Sequence, residues 1–184
     1  MMPATKPEFI ITTERLALRR LTHDDFAEVR RIHSDPEVMW VYGGVFAEEK
    51  TREWIQQNID RYARDEVGFF AITLKDIGDL IGCGGIIMQE TDQGIEPEIG
   101  YQIRHDQQGN GYATEMARAC MQYAFGTMNA DRIVSLIRPD NLPSRRVAEK
   151  NGLNVDREMM FHDMLHLVYR LSAVDWQKRQ TSDV

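Results

Sequence analysis

The sequence predicts a single α/β (α+β) domain, a mixed, mostly antiparallel central sheet of about seven strands flanked by helices. Three observations predict it. Seven short apolar or alternating segments recur along the chain, bounded by turn residues. Between them lie segments whose apolar residues fall at three- and four-residue steps. No repeat, low-complexity tract or Gly/Ser linker divides the chain. One domain is therefore expected over about Thr13–Trp176, with loose residues before it and after Arg179.

Each element has its own signal. Arg15–Arg19 alternates polar and apolar residues and reads as the first strand. Thr22, with Asp25 three residues on, resembles a capping box opening a helix that carries Phe26, Val29 and Ile32. A second helix is expected over about Ala47–Arg64, with Ile55, Ile59 and Tyr62 on one stripe and Gly68 closing the region. Phe69–Leu74 and Leu80–Met88 read as strands around a turn at 75–79, and Pro97–Arg104 as the fourth strand. Ala113, Met116, Ala117, Cys120, Met121, Ala124 and Phe125 give the next helix a wide apolar face. Arg132–Arg138 is a further strand, and a short helix from Ser144 stops at Gly152. Leu153–Arg157 and Met164–Leu171 complete the sheet.

The 184 residues carry a net charge of −7. That balance weighs against a nucleic-acid partner, which calls for a basic face, and it admits a cationic substrate such as an amine. No run of 18 apolar residues exists, so no membrane span is expected. The opening MMPATKPEF lacks the apolar centre of a signal peptide. Cys83 and Cys120 lie in apolar stretches and match no metal-ligand spacing. A reduced, cytoplasmic protein without a metal is the expectation.

The informative segment is Gln108-Gly109-Asn110-Gly111-Tyr112-Ala113-Thr114, between a strand and the amphipathic helix. Glycine lets a backbone turn sharply and approach a ligand. The first amides of a helix lack internal partners and share its positive dipole end. Together they suit a phosphate or pyrophosphate. A tight strand-to-helix turn without a ligand has the same glycine spacing. A P-loop is excluded by the missing Gly-Lys-Ser/Thr ending, and a dinucleotide fingerprint by the missing third glycine.

Gln108-x-x-Gly111-x-Ala113 resembles the coenzyme A-binding loop of the GNAT N-acetyltransferases. Glu98-Ile99-Gly100-Tyr101 before it, Ala113-Thr114-Glu115 after it and the run Arg138-Pro139-Asp140-Asn141-Leu142-Pro143-Ser144 fit the same family, in its order. Ser144 through Gly152 completes a second family motif, and the branch it resembles includes the ribosomal-protein N-terminal acetyltransferases. The resemblance spans about Glu14 to Trp176. It implies an acetyl-coenzyme A-dependent enzyme that acetylates a primary amine, on a small molecule or a protein N-terminus; the sequence leaves monomer and homodimer both open.

Residue by residue, the resemblance implies that amides of Gln108, Gly109, Asn110, Gly111, Tyr112, Ala113 and Thr114 cradle the pyrophosphate. The strand at Tyr101, Gln102 and Ile103 would splay and pair with the pantetheine arm, and amides there could stabilise an oxyanion. Asn141 would bond the pantetheine side, and Arg146 is a candidate for a cofactor phosphate. Attack requires a deprotonated amine, so a base is needed. Glu98 is the candidate, with a structural carboxylate paired to an arginine as the other reading. Many relatives carry a tyrosine acid where this chain has Ala148, so Ser144 is the candidate for assisting the departing thiolate. Ser144 also reads as a helix N-cap. Two further departures are Asn110, where a basic residue is frequent, and Leu153, where phenylalanine is usual.

Other residues take plainer readings. Cys83 and Cys120 are read as core, His105 as a solvated loop residue, and His162, Asp163 and His166 as no metal set. Trp40, Tyr42, Phe46 and Trp54 lie where the family builds its acceptor pocket and are read as core ahead of contact. A rival is a protein that binds coenzyme A without turnover, as a sensor or scaffold. An enzyme with a longer acyl donor is another.

Overall fold

In the computed structural model, which describes residues 8–182, eight strands form one sheet in the order β1-β2-β3-β4-β5-β6-β8-β7. The strands are β1 (Phe9–Thr12), β2 (Leu16–Arg19), β3 (Phe69–Leu74), β4 (Leu80–Thr91), β5 (Gly94–Ile103), β6 (Arg132–Ile137), β7 (Asn154–Phe161) and β8 (Met164–Ser172). The helices are α1 (Phe26–His33), α2 (Pro36–Met39), α3 (Glu48–Asp65), α4 (Tyr112–Gly126), α5 (Leu142–Lys150) and α6 (Ala173–Ser182). Every neighbouring pair is antiparallel except β5 and β6, which are parallel. A parallel pair needs a crossover, and α4 supplies it.

Side-chain alternation divides the core between the two faces of the sheet. On β3, Phe70 and Ile72 join the cluster with Met116, Cys120 and Ala124 of α4, Ala148 of α5 and Trp176 of α6. Phe69 and Ala71 turn the other way, to Val29 and Ile32 of α1 and Ile55 of α3. Full burial of such side chains is worth about 1.5–3 kcal/mol each.

The relationship between β5 and β6 positions the site. Their ladder holds at Glu98 and Val134 and no further. On the side of β5 nearer its start, Glu96 is fully buried between Arg132 Nε and Arg157 Nη2, both at 2.7 Å, with Thr91 Oγ1 also at 2.7 Å. A carboxylate with three such partners holds the strands together there, and beyond Glu98 they part.

Several boundaries differ from the sequence reading. β1 precedes the expected first strand, and α6 runs past the expected domain end at Trp176. β4 and β5 are longer than expected because a tight hairpin at Asp92-Gln93 joins them, closing at Thr91 and Gly94. β7 reaches Phe161, and His162 and Asp163 form the turn to β8 with φ of 48° and 60°. α3 ends in the left-handed conformation at Glu66, ahead of Gly68. α5 begins at Leu142, two residues before Ser144, and Gly152 follows its C-cap with φ of 90° as its sequence position suggests.

Candidate active site

Arg104 N donates to Ile81 O across the β4–β5 ladder at 2.8 Å, so even-numbered residues of β5 present their backbone to β4. Odd-numbered residues face the gap toward β6. Their carbonyls meet side chains in place of a strand. Ser135 Oγ donates to Ile99 O at 2.7 Å, Tyr42 Oη to Tyr101 O at 3.4 Å, and Gln108 Nε2 to Ile103 O at 3.1 Å. The segment expected to splay, Tyr101 through Ile103, does so. It presents an edge on which an extended group could pair.

At the end of this edge the chain makes a short 3₁₀ turn at His105–Gln107 and enters the glycine loop. Gly109 and Gly111 take φ of 80° and 82°, a region that costs other residues strain. Gly111 is the N-cap of α4, and no side chain caps the helix. The first turn therefore leaves its amides at Tyr112, Ala113 and Thr114 facing outward, as a phosphate site requires. Gln108 departs from the expected amide cradle, because its N–H donates to His105 O at 3.2 Å. Asn110 turns its side chain back on the loop, donating to Gln107 O at 3.1 Å.

A cation missed in the sequence stands here. Arg15 Nη1 donates to Asn110 O at 3.0 Å, its guanidinium lies 4.6 Å from the Tyr112 ring centroid, and Nη2 pairs with Glu115 at 2.7 Å. The positive charge absent at Asn110 is thus supplied from Arg15, the residue just before β2. Its partner Glu115 lies a hundred positions along the chain, so no local pattern could have joined them.

Glu98 sits where the strands part, half-buried, accepting the Leu136 amide at 3.3 Å. Burial raises its pKa to about 7, against the pull of that amide and the more distant Arg61. The expected alternative, an ion-paired structural carboxylate, describes Glu96 better than Glu98. Four residues further along β5 on the same face, Gln102 Oε1 lies 3.0 Å from Nε2 of the fully buried His33, and Thr51 Oγ1 lies 3.3 Å from Nδ1. A carbonyl oxygen only accepts, so Nε2 carries the proton. Burial lowers the His33 pKa to about 4 and keeps the ring neutral.

On the opposite face of β5, the first turn of α5 brings two expected residues together and separates their roles. Asn141 is the N-cap, its Oδ1 accepting the Ser144 amide at 3.3 Å. Ser144 is therefore not the cap, a correction that follows from Pro143 fitting the first turn of a helix started by Asn141. The Ser144 hydroxyl is the neighbour that the Tyr101 phenol feels as a hydrogen-bonding group, although no hydrogen bond of normal geometry joins the two, and the phenol oxygen is inaccessible to water. Burial pushes that phenol up to about 12. Ala148 is buried in the same apolar cluster, and Arg146 is exposed on the outer side of α5.

Of the four aromatic residues before α3 and in it, Trp40 and Tyr42 are 39% and 38% exposed at the gap, whereas Phe46 and Trp54 pack in the core. The rings of Phe46 and Trp54 hold His33 edge-on, at 4.9 and 4.8 Å. Arg138 lies 5.3 Å from the Trp40 ring and, with Pro139, Asp140, Met164 and Leu165, lines a cavity of about 300 Å³. Cys83 and Cys120 are buried, and burial raises both thiols. His105 is exposed. Among the described residues no three His, Cys, Asp or Glu side chains form a metal-binding group, and no helix is long and apolar enough to cross a membrane.

This geometry has relatives. Residues 15–154 match the acetyltransferase (GNAT) domain. The chain is 35% identical over 144 residues to the uncharacterized N-acetyltransferase YnaD of Bacillus subtilis (strain 168), covering 78% of this chain and 81% of that one. A crystal structure of an acetyltransferase from Agrobacterium tumefaciens str. C58 superposes with a TM-score of 0.78 at 30% identity, over 93% of this chain and 96% of its own. The ribosomal L7/L12 alpha-N-protein acetyltransferase RimL, in complex with coenzyme A, shares the fold with a TM-score of 0.72 at 21% identity, over 90% of this chain and 98% of its own. With the family's domain matched across most of the chain and its loop, splayed strand and helix order all present, this protein belongs to the GNAT acetyltransferase family.

Proposed function

We propose that the protein transfers the acetyl group of acetyl-coenzyme A to a primary amine, by direct attack of the amine on the thioester through a tetrahedral intermediate. The observation that carries this reading is the position of Glu98. A carboxylate with a pKa of about 7 stands where β5 leaves β6, and the glycine loop lies at the other end of the same open edge.

The residues present fit the donor substrate. The uncapped first turn of α4, with the Arg15 guanidinium beside it, suits a pyrophosphate. The odd-numbered backbone of β5 suits an amide-bearing arm lying along it. The sealed, unpaired Tyr101 oxygen lies on the face of β5 that carries α4 and α5. RimL's coenzyme A complex supports the same reading by fold.

Glu98 takes a proton from the amine, directly or through water, and its raised pKa matches it to neutral conditions. Amides at the divergence hold the developing oxyanion. Ser144 assists the departing sulfur. Trp40, Tyr42 and the cavity beside Arg138 form the acceptor's entrance, open enough for a small amine or a protein N-terminus.

Calorimetry and thermal melting with acetyl-coenzyme A test the donor assignment. Binding should release or absorb heat and raise the melting temperature, as a ligand of the native state does. Silence in both at saturating donor would remove the reading.

A further inference from the structure

Among the described residues, the Tyr101 hydroxyl is the buried side-chain oxygen that finds no hydrogen-bond partner. Such a group is costly and calls for a partner, and its neighbour, the Ser144 hydroxyl, does not meet it at normal hydrogen-bond geometry. Its place is specific. Tyr101 lies on the part of β5 that has left β6, its side chain packs on the cluster shared by α4 and α5, and its hydroxyl faces Ser144. Ala148 belongs to that cluster and offers no hydroxyl of its own.

We propose that the Tyr101 phenol donates a hydrogen bond to the sulfur of coenzyme A as it leaves, with Ser144 as the neighbouring hydroxyl. This rests on the acetyl-transfer reading above, which places the thioester sulfur beside Ser144. In that step the amine nitrogen forms a bond to the acetyl carbon and the carbon–sulfur bond breaks. The amine's proton goes to Glu98, and the electron pair stays on sulfur as a thiolate held by the Tyr101 O–H. The phenol remains protonated, as its raised pKa requires, and the thiolate takes its proton from water after release. The geometry makes Tyr101 a catalytic residue in addition to a supplier of backbone for the pantetheine arm.

The test compares wild type with Tyr101→Phe, which keeps the ring and removes the oxygen. Coenzyme A is bound to each, and the thiolate's ultraviolet absorbance is followed against pH. A donated hydrogen bond favours the charged form, so the thiol bound to wild type should titrate below free coenzyme A. In Tyr101→Phe it should return toward the free value. Turnover should fall by about tenfold or more, with KM for acetyl-coenzyme A little changed. The melting temperature should hold or rise, because an unsatisfied buried hydroxyl is gone. A residue needed only for structure would lower it. The proposal is overturned if the wild-type thiol titrates as it does free, or if Tyr101→Phe keeps the wild-type thiol pKa or the wild-type rate. Failure of coenzyme A to bind wild type is a different result, and it overturns the acetyl-transfer reading itself.

Discussion

Arg15 and Glu115 clasp each other across the mouth of the glycine loop. Nε and Nη2 of the arginine both reach Oε2 at 2.7 Å, while the Arg15 amide and Thr13 Oγ1 reach Oε1 at 2.9 and 2.6 Å. One carboxylate thus fixes the start of β2 against the first turn of α4, and the free arm of Arg15 holds the Asn110 carbonyl. Arg15→Ala should weaken acetyl-coenzyme A binding by about tenfold, the effect of one charge-assisted contact. Stability should fall by only about 1 kcal/mol, since the arginine is exposed and Glu115 keeps the Thr13 hydroxyl and the backbone amide at position 15. Titration calorimetry at two salt concentrations checks this, and the wild type should show the steeper salt dependence.

The loop conformation gives a second prediction. Ala at Gly109 or Gly111 must adopt a φ near 80°, at a cost of about 1–2 kcal/mol, although the nearest side-chain atom to a new Cβ at Gly111 is Arg15 Nη2 at 3.5 Å. Either substitution should leave the circular dichroism native and reduce donor affinity. Gly78→Ala is the control. It has φ of 72° in the β3–β4 turn, so it should carry similar strain with no loss of binding.

Much of this was legible in the sequence, for local reasons. Alternation and three-four periodicity reveal each strand or helix within its own dozen residues, and the loop at 108–114 is a contiguous motif. What was missed was short or remote. β1 is the run Phe9-Ile10-Ile11-Thr12, whose three consecutive apolar residues show no alternation. The Thr91–Gly94 hairpin has no Asn-Gly or Asp-Gly pair at its centre, the strongest such signal. Ser144 drew the cap reading because serine is a common N-cap, but Asn141 holds that position. Arg15, His33 and the Tyr101 hydroxyl acquire their meaning from partners 69 to 100 positions away, or from having none.

Glu98→Gln tests the base. A raised pKa of about 7 means that Glu98 loses its proton through neutrality, so the wild-type rate should climb across that range. The mutant deficit should be greatest from neutral pH up to where the amine deprotonates unaided. It should shrink in acid, where wild-type Glu98 is itself protonated. The pH–rate profiles of both proteins decide it, and coincident profiles would make the carboxylate structural.

Glu98 and His33 also oppose each other in stability. Glu98 binds its proton more tightly when folded, so its contribution is full below pH 4.5 and is lost as pH rises to about 7. His33 binds its proton less tightly when folded, so its contribution is present above 6.5 and lost as pH falls to about 4. The two slopes largely cancel between 4.5 and 6.5. Glu98→Gln should therefore be more stable than wild type at pH 8, by on the order of 2 kcal/mol after allowance for partial exposure. It should also show a stability that falls toward acid, which denaturant titrations at several pH values would reveal.

Ser144 and Asn141 can now be tested separately. Asn141→Ala removes the cap and should cost about 1 kcal/mol of stability. Ser144→Ala leaves the cap in place, so stability should change by less than about 0.5 kcal/mol. Its turnover should drop by about tenfold or more if the hydroxyl assists the sulfur. Ala148→Tyr should cost stability, because that site is buried and an added ring would overpack it.

The most direct test is thiol release from acetyl-coenzyme A in the presence of a panel of amines, from small polyamines to peptides with free N-termini, with mass spectrometry of the acceptor. Amine-dependent release, matched by an acetylated product and suppressed in Glu98→Gln at neutral pH, is the result predicted. Donor binding with no release above background for any amine would contradict acetyl transfer and leave a coenzyme A-binding protein without turnover.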